Sequence, residues 1–199
     1  GSEVTMLTGF TQPARRVVVR AGVLAIDAGR DVLGTGHLLA ALAEVDSTCL
    51  PLEALDLTPF AVLAEVEERG ETDRRQPDGE LLADLGIDLD EVRRRAFDAT
   101  SLRSDDPVLW RLRRSRALPL RLTLTGPLGI LRLNGQSRKV IEVAATTAHR
   151  RGDRTHIGCE DLLWGLLADS SNESVRILHR LGVDLRRFWT DLERWHAAA

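Results

Sequence analysis

The sequence predicts an all-α protein made of two related four-helix halves, joined by an insert that favours a β-hairpin. Three observations lead to this fold class. Apolar residues recur at steps of three and four through most of the chain, which is the spacing of amphipathic helices. Blocks of residues recur in the same order in the two halves, which indicates an internal repeat. The stretch from Pro119 to Leu133 instead alternates apolar and polar residues, as strands do.

The composition is that of an ordinary globular protein. The chain has 199 residues, of which 43% are hydrophobic and 29% charged, so wholesale disorder, collagen and a disulfide-stapled miniprotein are excluded. No apolar run reaches the roughly 18 residues of a membrane span, and no basic-then-apolar leader is visible. The net charge of −3 argues against a dedicated nucleic-acid binder. We therefore expect a cytoplasmic protein without membrane or nucleic-acid partners.

The two cysteines, Cys49 and Cys159, lack the spacing of a redox or metal motif. Two free thiols in a reducing cytosol are the simpler interpretation, and a disulfide between them is the alternative. His156 and the run from Cys159 to Asp161 could suggest a metal cluster, but three adjacent residues have poor geometry for one ion. We expect no metal and no cofactor.

The first half of the chain reads as a series of helices. Gln12 to Ala28 carries one apolar face, with Thr11 as a candidate N-cap and Pro13 in the first turn, where a missing N–H costs nothing. Gly29 is a candidate stop signal. Further helices are predicted at 35–44, 52–55, 59–68, 80–85 and 90–99.

The insert, residues 100–132, differs in character from both halves. Leu120 to Thr125 and Ile130 to Leu133 alternate apolar and polar residues around a Gly-Pro break, which fits a short β-hairpin or an extended linker. Because a lone hairpin is marginal in water, its apolar side must be covered. The arginines between Arg111 and Arg116 lack interleaved aromatic residues, so solvated surface is a simpler interpretation than nucleic-acid binding.

The helical pattern resumes after Asn134-Gly135, where apolar residues from Val140 to Ala148 line one face. The later helices are predicted at 159–168, 173–181 and 184–195.

The internal repeat is the strongest organisational signal. Residues 14–18 align with 137–141, and 34–39 align with 158–163 in the same order. Two such units can cover each other's apolar faces about a pseudo-twofold axis. The domain boundaries that follow are a first repeat at 10–99, an arginine-rich insert at 100–132 and a second repeat at 133–196.

The repeated residues resemble a known family. Phe10 to Val19 fits Phe-Thr-x-x-Ala-[Arg/Lys]-[Arg/Lys]-Val, and Gly34 to Leu39 is similar to Gly-Thr-Glu-His-[Ile/Leu]-Leu. Both patterns are those of the N-terminal repeat of the Clp unfoldases, the ClpC type above all. Gln136 to Trp195 resembles the second repeat, and no Gly-x-x-x-x-Gly-Lys-[Ser/Thr] phosphate loop occurs. The resemblance therefore implies a free-standing Clp N-terminal domain without an ATPase of its own. It covers roughly 10–68 and 133–195, and 80–98 resembles the terminal helix pair of a repeat.

The resemblance also implies candidate ligand residues. In this family the N-terminal domain recognises substrates, adaptors and, in ClpC types, phosphoarginine degrons. The motif glutamate pairs with the ligand guanidinium, and a Thr and a basic residue at the start of each repeat suit its phosphate. Here Gly36 replaces the first glutamate, while the second repeat keeps a glutamate between Cys159 and Asp161. The implied residues of these degenerate pockets are Thr11, Arg15, Asn134, Arg138 and Glu160. The alternative is that Glu160 is simply a first-turn glutamate favoured by the helix dipole.

Phe10 and Leu133 stand where the family has its leading Phe, between the repeats. In ClpC-type domains this groove also binds cyclic-peptide antibiotics. The alternative is that both side chains pack the start of a helix as core residues.

The expected function is a non-catalytic module that binds peptides, degrons or partners of the Clp proteolytic system, as an accessory or competitor to a full-length unfoldase. One alternative is a decoy that sequesters Clp-targeting peptide antibiotics. Others are a thiol-dependent enzyme at Cys159, with His149 or His156 as its base, and a structural role in which the insert mediates dimerisation.

Overall fold

The computed structural model describes residues 4–5, 7–45, 55–70, 104–115, 121–152 and 156–198. Most of them are helical, but a five-stranded sheet runs beside the helices. The expectation of an all-α fold is therefore corrected to a mostly helical fold with a small sheet. None of the described helices is long and apolar enough to cross a membrane.

Seven α-helices occur in the described residues, and most lie where the apolar periodicity predicts them. Short 3-10 turns occur at Leu7–Gly9 and Pro107–Leu109. The helices are α1 (Gln12–Asp27), α2 (Thr35–Glu44), α3 (Pro59–Gly70), α4 (Gly135–Arg150), α5 (Cys159–Leu167), α6 (Glu173–Arg180) and α7 (Leu185–Ala198). Several predictions fall outside the described residues: the helices at 80–85 and 90–99, most of the helix at 52–55, and Cys49.

The sheet has the strand order β1-β3-β4-β5-β2. Its strands are β1 (Val4–Thr5), β2 (Val32–Leu33), β3 (Arg111–Ser115), β4 (Arg121–Gly126) and β5 (Gly129–Leu133). β3, β4 and β5 form an antiparallel meander, and β2 pairs in parallel with β5. The predicted hairpin is thus confirmed as β4–β5, and it gains a third long strand from the arginine-rich stretch.

The sheet exists because its leucines can be buried against α1. Leu112, Leu124 and Leu131 are each 0% exposed, and they share one face because opposite residues of antiparallel strands point the same way. A Cβ added at Gly22 of α1 would lie 2.6 Å from a methyl carbon of Leu124, so helix and sheet are in close contact. This contact supplies the cover that an isolated hairpin would lack.

The aligned segments of the two halves form matching elements. α1 and α4 each have 16 residues, and each begins after a side-chain N-cap, Thr11 or Asn134. α2 and α5 begin after Gly34 and Gly158. The pseudo-twofold relation of two four-helix repeats stays a prediction, as do the domain boundaries at 10–99, 100–132 and 133–196.

Candidate functional site

The start of α1 is closed by its own residues. The Thr11 hydroxyl accepts a hydrogen bond from the Ala14 N–H at 3.3 Å. Arg15 donates from Nε to the Phe10 carbonyl at 3.1 Å and from a terminal nitrogen to the Thr8 carbonyl at 3.2 Å. Its guanidinium therefore holds the chain that leads into α1, and this use competes with binding a ligand phosphate.

The start of α2 is packed too tightly for the family's glutamate. Gly36 is buried, and a Cβ there would lie 2.5 Å from a methyl carbon of Val66. A carboxylate nevertheless lies close by, because the Glu173 Cδ would be 3.4 Å from that Cβ. Glu173 is the first residue of α6. Its place in a first turn was visible in the sequence, but its approach to α2 depends on how the helices pack.

At the start of α5, the predicted carboxylate is already paired. Glu160 accepts a hydrogen bond from Arg151 at 2.9 Å, and a second nitrogen of the same guanidinium donates to Asp161. Asp161 is 0% exposed and also accepts from the Gly158 N–H at 2.9 Å. A ligand guanidinium would have to displace Arg151, which the sequence motif alone does not reveal.

The predicted groove residues lie in different environments. Phe10 is 1% exposed and belongs to the core, where its backbone bridges to Ile157. Leu133 is half-buried at the end of β5 and pairs with Leu33 of β2. Leu133 lines a pocket.

That pocket lies where the sheet meets the start of α4. Its volume is about 320 Å³. It brings together three of the predicted residues, Leu133, Asn134 and Arg138, with two that the sequence argument missed, Arg121 and Arg132. The remaining lining residues are Val32, Leu122 and Gly135. Arg121 and Arg132 occupied the polar positions of the predicted hairpin, and this alternation was the available signal.

The pocket has the electrostatics of an anion site. Three arginines line it, and none of its described lining residues is acidic. Asn134 caps α4 by accepting from the Ser137 N–H at 2.8 Å, and the positive end of the 16-residue helix faces the pocket. On α4 itself, the Glu142 carboxylate lies 3.8 Å from the Arg138 Nε. Guanidiniums bind carboxylates and phosphates through paired hydrogen bonds but do not give up a proton at neutral pH. The arrangement can therefore hold an anion without transferring protons.

A second, smaller cavity of about 70 Å³ lies between α1, α2 and α3. His37 lines it, is 1% exposed, and has no hydrogen-bond partner at either ring nitrogen within the described residues. Burial, and then the charge of Arg30, lowers the pKa of His37 to about 4. The imidazole is therefore neutral at physiological pH.

The Cys159 thiol, the candidate nucleophile of the enzyme alternative, is buried. Cys159 is 4% exposed at the first position of α5, whereas His149 and His156 are exposed. Within the described ranges, no group of three His, Cys, Asp or Glu residues could hold a metal ion. That the protein is not an enzyme and holds no metal and no cofactor remains a prediction.

No family model matches the sequence, and no curated protein matches it. One similar solved structure is the N-terminal domain of the caseinolytic protease associated chaperone ClpD from Arabidopsis thaliana, at 18% identity, 94% coverage of both chains and a TM-score of 0.48. The Clp resemblance of this chain continues to rest on the residues quoted above.

Proposed function

We propose that this chain is a non-catalytic binding module of the Clp proteolytic system, which recognises peptides, degrons or protein partners as an accessory or competitor to a full-length unfoldase. The system is suggested by the Phe-Thr and Gly-Thr-Gly-His motifs at Phe10 and Gly34. The binding chemistry is suggested by the pocket at the start of α4.

The observation that carries the proposal is the convergence of Arg121, Arg132 and Arg138 on one pocket at a helix N-terminus. Such a site favours a phosphate or carboxylate group, because charge-assisted hydrogen bonds and the helix dipole act on the same anion. The carboxylate meant for a ligand guanidinium is unavailable, since Arg151 holds Glu160 and Gly36 replaces its counterpart. We therefore assign recognition to the anionic group of the ligand alone.

Calorimetric titration with phosphoarginine and with inorganic phosphate tests this assignment. We expect similar affinities for the two ligands, because the guanidinium adds no contact. Glu160→Ala should leave both affinities within about twofold, and Arg138→Gln should weaken both by about tenfold, the loss of one charge-assisted contact. Arg150→Gln, an exposed arginine of the same helix, is the matched control.

Two results would overturn the proposal. One is strong phosphoarginine binding that Glu160→Ala abolishes, which would restore the family's guanidinium contact. The other is no heat with either ligand, which would remove the anion site. The antibiotic-sequestering alternative needs an open groove at Phe10, and that side chain is buried in the core.

A further inference from the structure

The outer face of the sheet carries arginines on adjacent strands. In the antiparallel register, Arg113 of β3 lies opposite Thr123, which lies opposite Arg132 of β5. One row away, Arg111 lies opposite Thr125, and Thr125 lies opposite Ile130. Opposite residues share a face, so these side chains stand on the side away from the buried leucines. Arg121 belongs to the same face, two positions from Thr123.

This concentration of charge is local. Four of the five arginines on β3, β4 and β5 belong to this face, because Arg114 lies opposite Leu122 on the other one. These strands hold no acidic residue, although the whole chain has 30 acidic and 27 basic residues. Residues two apart in a strand are about 6.8 Å apart, and neighbouring strands are about 4.8 Å apart. The face is therefore a compact cationic surface.

One large apolar side chain stands among these cations. Ile130 is 65% exposed at the β5 end of the Arg111 row. Val108 and Leu109, in the turn before β3, are 83% and 48% exposed. A partner that matches this surface would combine negative charge with an apolar residue.

We infer that the outer face of β3–β5 docks an extended acidic segment of a protein partner, with its carboxylates on Arg111, Arg113 and Arg132 and an apolar side chain on Ile130. Carboxylates two residues apart in an extended peptide repeat at about 6.8 Å, the same spacing as Arg111 and Arg113. A nucleic acid fits less well, because these strands contain no aromatic residue for base stacking and the net charge of the chain is negative.

The inference deepens the proposed function and rests on it in taking the partner to be a peptide. Arg132 belongs both to this face and to the pocket at the start of α4, so a bound segment can run from one to the other. Arg111, Arg113 and Ile130 do not line the pocket. Variants at these positions therefore test the face separately.

The test is fluorescence anisotropy with the full chain and a short labelled peptide that alternates Asp and Ser around one central Leu. Arg111→Gln with Arg113→Gln should weaken binding about three- to tenfold, and binding should fall with added salt. Arg186→Gln with Arg187→Gln removes the same charge from exposed positions of α7 and should change affinity by less than about twofold. A peptide with Asn in place of Asp should not bind.

Single variants test the same face in case the double variant does not fold. Arg111→Gln alone and Ile130→Ser each leave Arg113 in place and should weaken binding in the same direction, with circular dichroism checking that each variant is folded. Arg138→Gln should weaken phosphate binding by about tenfold while leaving most of the peptide affinity. The proposal for the pocket and the proposal for the sheet face can therefore be contradicted separately.

Four outcomes would overturn the inference. They are no binding of the acidic peptide, an equal loss in the two double variants, tighter binding of a single-stranded DNA of equal charge, and self-association in sedimentation that Arg111→Gln with Arg113→Gln removes. The last would identify a second copy of the chain as the occupant.

Discussion

The N-termini of α1 and α4 share a local sequence pattern, but one is covered by neighbouring residues and the other borders a pocket. Each 16-residue helix follows a side-chain N-cap, and each has an arginine four residues after the cap, Arg15 or Arg138. At α1 the arginine donates to two backbone carbonyls, and the backbone beside Ile157 covers the approach. At α4 the β4–β5 hairpin lies alongside instead, and two of its arginines, Arg121 and Arg132, line the pocket with Arg138.

The starts of α2 and α5 differ in the same way. The sequence aligns His37 with Asp161, and both are buried. Asp161 is held by Arg151 and the Gly158 N–H, whereas His37 has no partner for its ring nitrogens among the described residues. These pairs show that a repeated motif preserves the helix start, while the neighbouring elements decide whether it is a site.

We expect the largest loss of stability from a substitution at the covered N-terminus of α1. Phe10→Ala removes a core side chain that is 1% exposed, and we expect a loss of about 3 to 5 kcal/mol in the free energy of unfolding. Leu133→Ala, at the aligned but half-buried position, should cost about 1 to 2 kcal/mol. Urea unfolding followed by circular dichroism measures both. Equal losses would mean that the two helix starts are packed alike.

His37 should make stability depend on pH. Its folded pKa, about 4, lies below the usual 6.5, so the unfolded chain binds more protons between these values. The associated stability is fully present above pH 6.5 and declines as the pH falls toward 4. We expect a loss of about 2 to 3 kcal/mol between pH 7 and pH 4.5.

A His37→Gln variant isolates this contribution, because other groups also titrate in the range. The difference in unfolding free energy between the parent chain and the variant should shrink or reverse at the lower pH. A difference that stays constant from pH 7 to pH 4.5 would show that His37 is not buried in its neutral form.

A smaller loss of stability should distinguish the contributions of Asp161 and Glu160, the two carboxylates that Arg151 contacts. Arg151→Gln leaves the buried Asp161 without its cation, so we expect a loss of about 2 kcal/mol. Glu160→Gln removes only a partly exposed partner and should cost less than about 1 kcal/mol. Thermal unfolding at neutral pH compares them, and a larger loss for Glu160→Gln would reverse the assignment.

The sequence predicted the helices and the hairpin better than it predicted which elements pack beside them. The helices at 12–28, 35–44 and 159–168 followed from apolar spacing, and the hairpin followed from its alternation. β3 was missed because Arg-Leu-Arg-Arg-Ser has one apolar residue and becomes a strand by pairing with β4. The pocket was predicted only in part, because Arg121 and Arg132 reach it through the fold of the insert rather than through the repeated motif.

The contrast between Arg15 and Arg138 is the most direct test of this account. Calorimetric titration of inorganic phosphate should be made on the parent chain, Arg15→Gln and Arg138→Gln, with circular dichroism confirming that each is folded. We predict that Arg138→Gln weakens phosphate binding by about tenfold, while Arg15→Gln binds phosphate as the parent chain does. Loss of binding in Arg15→Gln with binding kept in Arg138→Gln would contradict it, because the ligand site would then lie at α1.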